Sequence, residues 1–264
     1  GVGIGVPGPM HMGEGGKAYV VNPRAFPGWH DIPLADWARE RLAMPIFLEN
    51  NATAAAVGER WYGGGRQIRT FFYIYFGSGL GGGLVLGGQP YEGFTGNAGE
   101  LGYLPAVTGD AAGDEPSHVG LDFNLPRLYE KLRADGTEAR TPEDLELLLS
   151  EGNPRLLAWI ERASDHLTGL VLAVEYLVDP EAIFFGGRLP DRMLQTLLDG
   201  VEARLPGRHV GDGLPGPAYL LATAGADAAA LGVATLPLYA AFAPAPHVLL
   251  KQGRPAPAPW AGVG

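Results

Sequence analysis

Short apolar runs alternate along this chain with amphipathic or alanine-rich runs, and the alternation predicts most of its elements. Gly1 to Val6 reads as a buried strand ending in a Pro-Gly turn, Leu34 to Leu42 as a helix, and Ile46 to Glu49 as a strand. Ala52 to Trp61 then predicts a helix and Thr70 to Phe76 a strand. Glycine punctuates the next stretch. Gly77 to Gly83 predicts a tight turn, Leu84 to Leu86 a returning strand and Gly87-Gly88 a second turn, which together make a β-hairpin. A loop-rich stretch from Gly93 to Gly120 leads to helices near Leu125 to Ala134, Pro142 to Ser150 and Pro154 to Val178. Thr141 is the expected N-cap of the middle helix, with Pro142 at its first position. "AIFFGG" reads as a strand with a glycine turn, Arg192 to Arg204 as a helix, "AYLLATA" as a strand, and Ala228 onward as a helix. No internal repeat is visible, and the alternation of strands with helices predicts an α/β protein.

The 264 residues are 46% hydrophobic, which suits one compact body or two lobes with a sizeable core. A net charge of -10 argues against coating a polyanion, since neutralising phosphates takes clustered lysine and arginine. Cysteine is absent and the six histidines are scattered, which removes disulfides and thiolate metal sites and fits a cytoplasmic setting. The first residues, "GVGIGVPGPM", lack an initiator methionine and a basic leader and read as a strand met mid-fold. Ala228 to Pro246 carries no charge, but Pro237, Pro244 and Pro246 interrupt it, so its first part reads as a buried helix rather than a membrane span. The end, "GRPAPAPWAGVG", is expected to hang loose or to pack through Trp260.

Candidate chemistry gathers at strand ends. In "PIFLENNATAAAVGE", Asn50 and Asn51 stand where a strand meets a helix, a position suited to an N-cap or to amides that bind vicinal hydroxyls. Glu100, in "GNAGELGY", has bare backbone on either side and suits a solvated turn carboxylate or an acceptor for a sugar hydroxyl. The turns in "GVPGP", "FGSGLGGG" and "FFGGRLP" can each serve hairpin geometry or let backbone N–H groups approach a phosphate. Three such turns at strand ends of one α/β chain point to a nucleotide crevice.

These stretches, together with "VVNPRAFPGWHDIPLADWARERLAMPIFLENNATAAAVGE", "FFYIYFGSGLGGGLVLGGQPYEGFTGNAGELGY" and "GADAAALGVATLPLY", resemble the ROK family of repressors, open reading frames and sugar kinases over nearly the whole chain. The resemblance implies an actin-like (ribonuclease H-like) two-lobed sugar kinase fold, with sugar in the cleft and ATP phosphates on glycine hairpins. It implies a remaining N-terminal lobe over 1–47, a C-terminal lobe over 48–235, and a helix and tail over 236–264 that returns to the first lobe. The family's first phosphate hairpin is expected upstream of Gly1, which makes the first lobe incomplete.

Carried over position by position, the family's Glu-Asn-Asp aligns with Glu49, Asn50 and Asn51. Asn50 keeps the sugar-binding amide, whereas Asn51 stands at the place of the catalytic aspartate and has no useful basicity near neutral pH. Gly-Glu-x-Gly-His reads Gly99, Glu100, Leu101, Gly102, Tyr103, so the sugar-contacting Glu100 remains and the histidine does not. Tyr103 offers its hydroxyl to the sugar instead. The Cys-rich zinc knuckle is missing, so no zinc is expected. His118 is read as a lone loop imidazole, and the glutamate that comes after the knuckle falls near Asp122 or Phe123. Gly77, Ser78 and Gly79 match the second phosphate hairpin, and Gly186-Gly187 the turn near adenosine, so ATP with magnesium is a candidate cofactor.

Two functions are expected on these grounds. One is a sugar-sensing regulator body whose DNA-binding element lies upstream, working as a homodimer or homotetramer without membrane contact. The other is an ATP-dependent hexose or N-acetylhexosamine kinase that uses a different proton acceptor. Trp61, Tyr62 and Phe94 suit either an apolar contact surface or core burial.

Overall fold

The computed structural model describes residues 1–12, 19–21, 28–105, 118–206 and 215–242. Three short strands come first: β1 (Val2–Val6), β2 (Met10–Met12) and β3 (Tyr19–Val21). Helix α1 (Leu34–Leu42), strand β4 (Ile46–Asn50) and helix α2 (Asn51–Tyr62) come next. Then come strands β5 (Phe71–Phe76), β6 (Leu80–Leu86) and β7 (Gln89–Pro90). Helices α3 (Val119–Asp122), α4 (Leu125–Ala134), α5 (Pro142–Ser150) and α6 (Pro154–Val178) lead to strand β8 (Ala182–Gly187). Helix α7 (Asp191–Glu202), strand β9 (Ala218–Leu221) and helix α8 (Ala228–Phe242) complete the order.

The central sheet has the order β7-β6-β5-β8-β9, antiparallel on the β6 side of β5 and parallel on the β8 side. Every residue of β5 and β8 is buried, as expected for strands covered on both faces. Phe72, Ile74 and Phe76 face one core with Ile183, Phe185 and the apolar stripes of α4 to α7. Phe71, Tyr73 and Tyr75 face the other, where the alanines of α2 and Ala228 of α8 cover them. The parallel pair β1-β4 forms a separate sheet in register Gly5 with Glu49 and Val6 with Asn50. Both strands of that pair pack against α8.

Small side chains let α2 and α8 cross at backbone contact. A Cβ added at Gly232 would lie 1.7 Å from the Ala54 carbonyl oxygen, and one added at Gly58 would lie 2.1 Å from that of Ala228. The helices are further tied by Glu59, which is fully buried near the end of α2. Its carboxylate accepts from the N–H of Gly64 at 2.6 Å, of Thr223 at 3.0 Å and of Ala224 at 2.9 Å. A buried carboxyl group is tolerated here because several donors satisfy its oxygens.

Thr141 caps α5 in a capping box with Asp144, and Pro142 opens the helix, as the sequence predicts. Three local expectations are corrected. The turn predicted over Gly77 to Gly83 is shorter, because Leu80 already pairs with Phe76 and β6 continues through Gly81, Gly82 and Gly83. Those glycines serve packing: a Cβ at Gly83 would sit 2.4 Å from the Ala52 carbonyl oxygen. Pro237 does not interrupt α8, which runs on to Phe242. Trp61, Tyr62 and Phe94 are not core residues, being 50%, 51% and 104% exposed. Trp260 lies outside the described residues, as does the stretch between Pro105 and His118.

Candidate functional site

The C-terminal ends of β1, β4 and β5 converge on a cavity of about 160 Å³. Asn50 and Asn51 line it from the β4–α2 junction, Ser78 and Gly79 from the β5–β6 turn, and Glu100, Tyr103 and His118 from the segments beyond. Strand ends are where open α/β folds leave room for ligands, because the connections splay apart there.

Asn50 does two jobs at once. Its Oδ1 accepts from the Ala52 N–H at 2.7 Å, which caps α2, and its Nδ2 donates to Glu100 Oε1 at 2.8 Å. The cap alternative is therefore realised, and the same side chain also ties β4 to Glu100. Burial raises the Glu100 carboxyl above the ordinary carboxylate range, and the Asn50 bond partly offsets that. Gly8 makes the pair possible, since a Cβ there would lie 1.9 Å from Glu100 Oε1. The backbone N–H of Asn50 donates to Glu49 Oε1 at 2.8 Å, and burial pushes the Glu49 carboxyl up to about 7.

Asn51 is the first residue of α2 and lines the cavity with its side chain beside β1: a Cβ on Gly5 would meet Asn51 Oδ1 at 2.7 Å. Its amide has no hydrogen bond to another described residue. At this position an amide can orient a hydroxyl but cannot take its proton.

The β5–β6 turn is held by a Gly77 N–H to Gly79 carbonyl bond of 2.9 Å, and Gly79 faces open space. Gly186 and Gly187 end β8 beside Tyr75 and Phe76, but they do not line the cavity. Their small size is required locally: a Cβ on Gly186 would lie 2.1 Å from the Tyr73 hydroxyl, and one on Gly187 would lie 2.3 Å from the Phe76 carbonyl oxygen. Phe123 is core, packed on Trp159, rather than part of the cavity.

Sequence reasoning misses Tyr75 and Asn124 and undervalues His118, all of which line the cavity. Tyr75 enters because the strand alternation sends Phe71, Tyr73 and Tyr75 to one face, a signal present in "FFYIYF". His118, read as a lone loop imidazole, faces the cavity with its ring against Tyr103, centroids 5.2 Å apart. No lysine or arginine among the described residues lines the cavity. Among the described residues, no group of three His, Asp or Glu side chains is arranged to hold a metal, and no helix is long and apolar enough to cross a membrane.

Comparison with known proteins places this architecture. An uncharacterised protein of Sinorhizobium fredii is 32% identical over 91% of this chain and 58% of its own length. A glucokinase of Thermotoga maritima is 39% identical over 70% of this chain and 63% of its own. A putative xylose repressor of Caldicellulosiruptor is 36% identical over 39% of this chain and 25% of its own. The chain thus spans only part of each of these relatives. Among solved structures, a ROK hexokinase from Thermus thermophilus matches with a TM-score of 0.66 and 29% identity over 88% of this chain and 76% of its own. A ROK transcriptional regulator, a homologue of Escherichia coli MLC, matches with a TM-score of 0.65 and 21% identity over 88% of this chain and 61% of its own, a likeness of fold. The α/β architecture is that of the actin-like sugar kinases. The ROK family profile matches residues 1–239, and the chain belongs to the ROK family.

Proposed function

We propose that this chain is the sugar-sensing body of a ROK transcriptional regulator, which binds a free sugar without phosphorylating it and communicates with a DNA-binding element carried upstream. The observation that carries this reading is Asn51, an amide that lines the cavity and that the family resemblance aligns with the carboxylate a kinase uses as general base. Asn50 and Glu100 supply a donor and acceptor pair for vicinal hydroxyls. The described lining supplies amides, hydroxyls and a carboxyl, which suit an uncharged sugar better than a sugar phosphate, since a phosphate calls for cationic partners. Regulation works by linkage: a sugar that binds two lobe arrangements unequally changes DNA affinity by the same factor. The exposed Trp61 and Tyr62 suit subunit contact in a homo-oligomer.

A second reading, an ATP-dependent hexose or N-acetylhexosamine kinase, is favoured by the Gly77-Ser78-Gly79 turn at the cavity edge and by the similarity to glucokinases. Asn51→Asp separates the two. A sensor body gains no sugar-dependent ADP release from magnesium-ATP, whereas an intact kinase cleft that lacks only its base gains on the order of 10²-fold or more. A gain of that size overturns the sensor reading.

A further inference from the structure

His118 has no assigned role, yet its geometry is closely defined. Its Nδ1 lies 2.9 Å from the Gly102 carbonyl oxygen. A carbonyl oxygen only accepts, so Nδ1 carries the hydrogen, and in the neutral ring Nε2 is left as a bare acceptor. Nε2 has no hydrogen-bond partner among the described residues.

The ring is also fixed in place. Pro105 and His118 form a β-bridge, and the Val119 N–H donates to the Leu104 carbonyl at 3.0 Å. Gly102 and Gly120 touch through their backbones, since a Cβ on Gly120 would lie 2.9 Å from the Gly102 oxygen. Tyr103 packs against the ring in a tilted arrangement, with an interplanar angle of 38°. An imidazole held on two sides, with a defined tautomer and an uncommitted acceptor in a cavity, is prepared for a ligand donor.

We propose that His118 determines ligand specificity by accepting a hydrogen bond at Nε2 from one hydroxyl of an uncharged sugar that is held through its other hydroxyls by Asn50 and Glu100. This rests on the sugar-binding reading above. A site that hydrogen-bonds a hydroxyl discriminates strongly against the analogue lacking it, because the buried partner is left unpaired.

The test is calorimetric titration of the full chain with D-glucose, D-xylose and the monodeoxy analogues of whichever sugar binds. On wild-type protein one deoxy analogue should bind about tenfold or more weakly. In His118→Phe, which keeps an aromatic ring but no nitrogen, that analogue and its parent should bind equally, and His118→Gln should restore part of the difference. Long-range proton–nitrogen NMR of the wild-type imidazole needs no variant. It should report the hydrogen on Nδ1, with the Nε2 resonance moving on saturation with sugar. An unchanged deoxy profile in a folded His118→Phe, or an Nε2 resonance that ignores a bound sugar, overturns the assignment of His118 alone. Failure of every sugar to bind overturns both this assignment and the sugar-sensing reading.

Discussion

Replacing Glu49 by glutamine should remove a pH dependence of folding stability that this carboxylate imposes. Glu49 is 8% exposed on β4. Burial is the largest cause of its raised pKa and the nearby Glu92 charge adds to it, while the Asn50 N–H opposes both. Its pKa therefore moves from 4.5 to about 7. Between those values the folded chain holds a proton on Glu49 that the unfolded chain releases. Stability from this group is thus fully present below the unfolded value and is lost as pH rises through the folded one. At about 1.4 kcal/mol per pH unit the full loss is about 3 kcal/mol. Urea unfolding followed by tryptophan fluorescence, at pH values from about 4.5 to about 8, measures it. Other carboxylates contribute in both proteins, so the difference between wild type and Glu49→Gln isolates this one. The variant should gain on wild type by up to about 3 kcal/mol as pH rises across that window. Parallel stability profiles for the two proteins would refute the reasoning.

The glycines of the hairpin should separate into two kinds. Gly79→Ala should leave the thermal midpoint unchanged, because its Cβ meets open space, whereas Gly83→Ala should cost about 1–3 kcal/mol by pushing α2 off the sheet. Equal losses at both positions would contradict the packing described. Glu59→Ala strands the N–H groups of Gly64, Thr223 and Ala224 and should cost on the order of 3 kcal/mol or more in denaturant unfolding. Asp144 accepts from the backbone of Arg140 and Thr141, which holds its carboxyl below the ordinary range. Asp144→Asn should therefore reduce stability at neutral pH, and the difference from wild type should disappear in acid, below the Asp144 pKa.

What the sequence makes legible is local. Binary pattern and caps suffice for α2, α5 and the buried strands, because periodicity, Thr141-Pro142 and the β-branched or aromatic runs act within a few residues. The glycines of β6 mislead because turn propensity and close helix-to-strand packing select the same residue. Pro237 misleads because a helix can continue past a proline where neighbouring packing carries it. Strands β2 and β3 are invisible to pattern reading, since three residues hold too little of it.

The site shows the same division. Asn50, Asn51, Glu100, Tyr103, Ser78 and Gly79 stand out on motif grounds and line one cavity. Gly186 and Gly187 stand out likewise but lie outside its lining, with packing reasons of their own. His118 is beyond the reach of spacing. It sits beside Tyr103 through its bridge to Pro105, a pairing that leaves no periodic trace in the sequence. A lone histidine carries no orientation until the Gly102 carbonyl supplies one.

Binding without phosphorylation can be checked on one preparation. Wild-type protein is titrated with D-glucose and D-xylose by calorimetry, then assayed with the same sugars and magnesium-ATP for ADP release. Saturable binding of an uncharged sugar is expected, with no sugar-dependent ADP release above background. Turnover in the ordinary kinase range, about 1 s⁻¹ or faster, would contradict it.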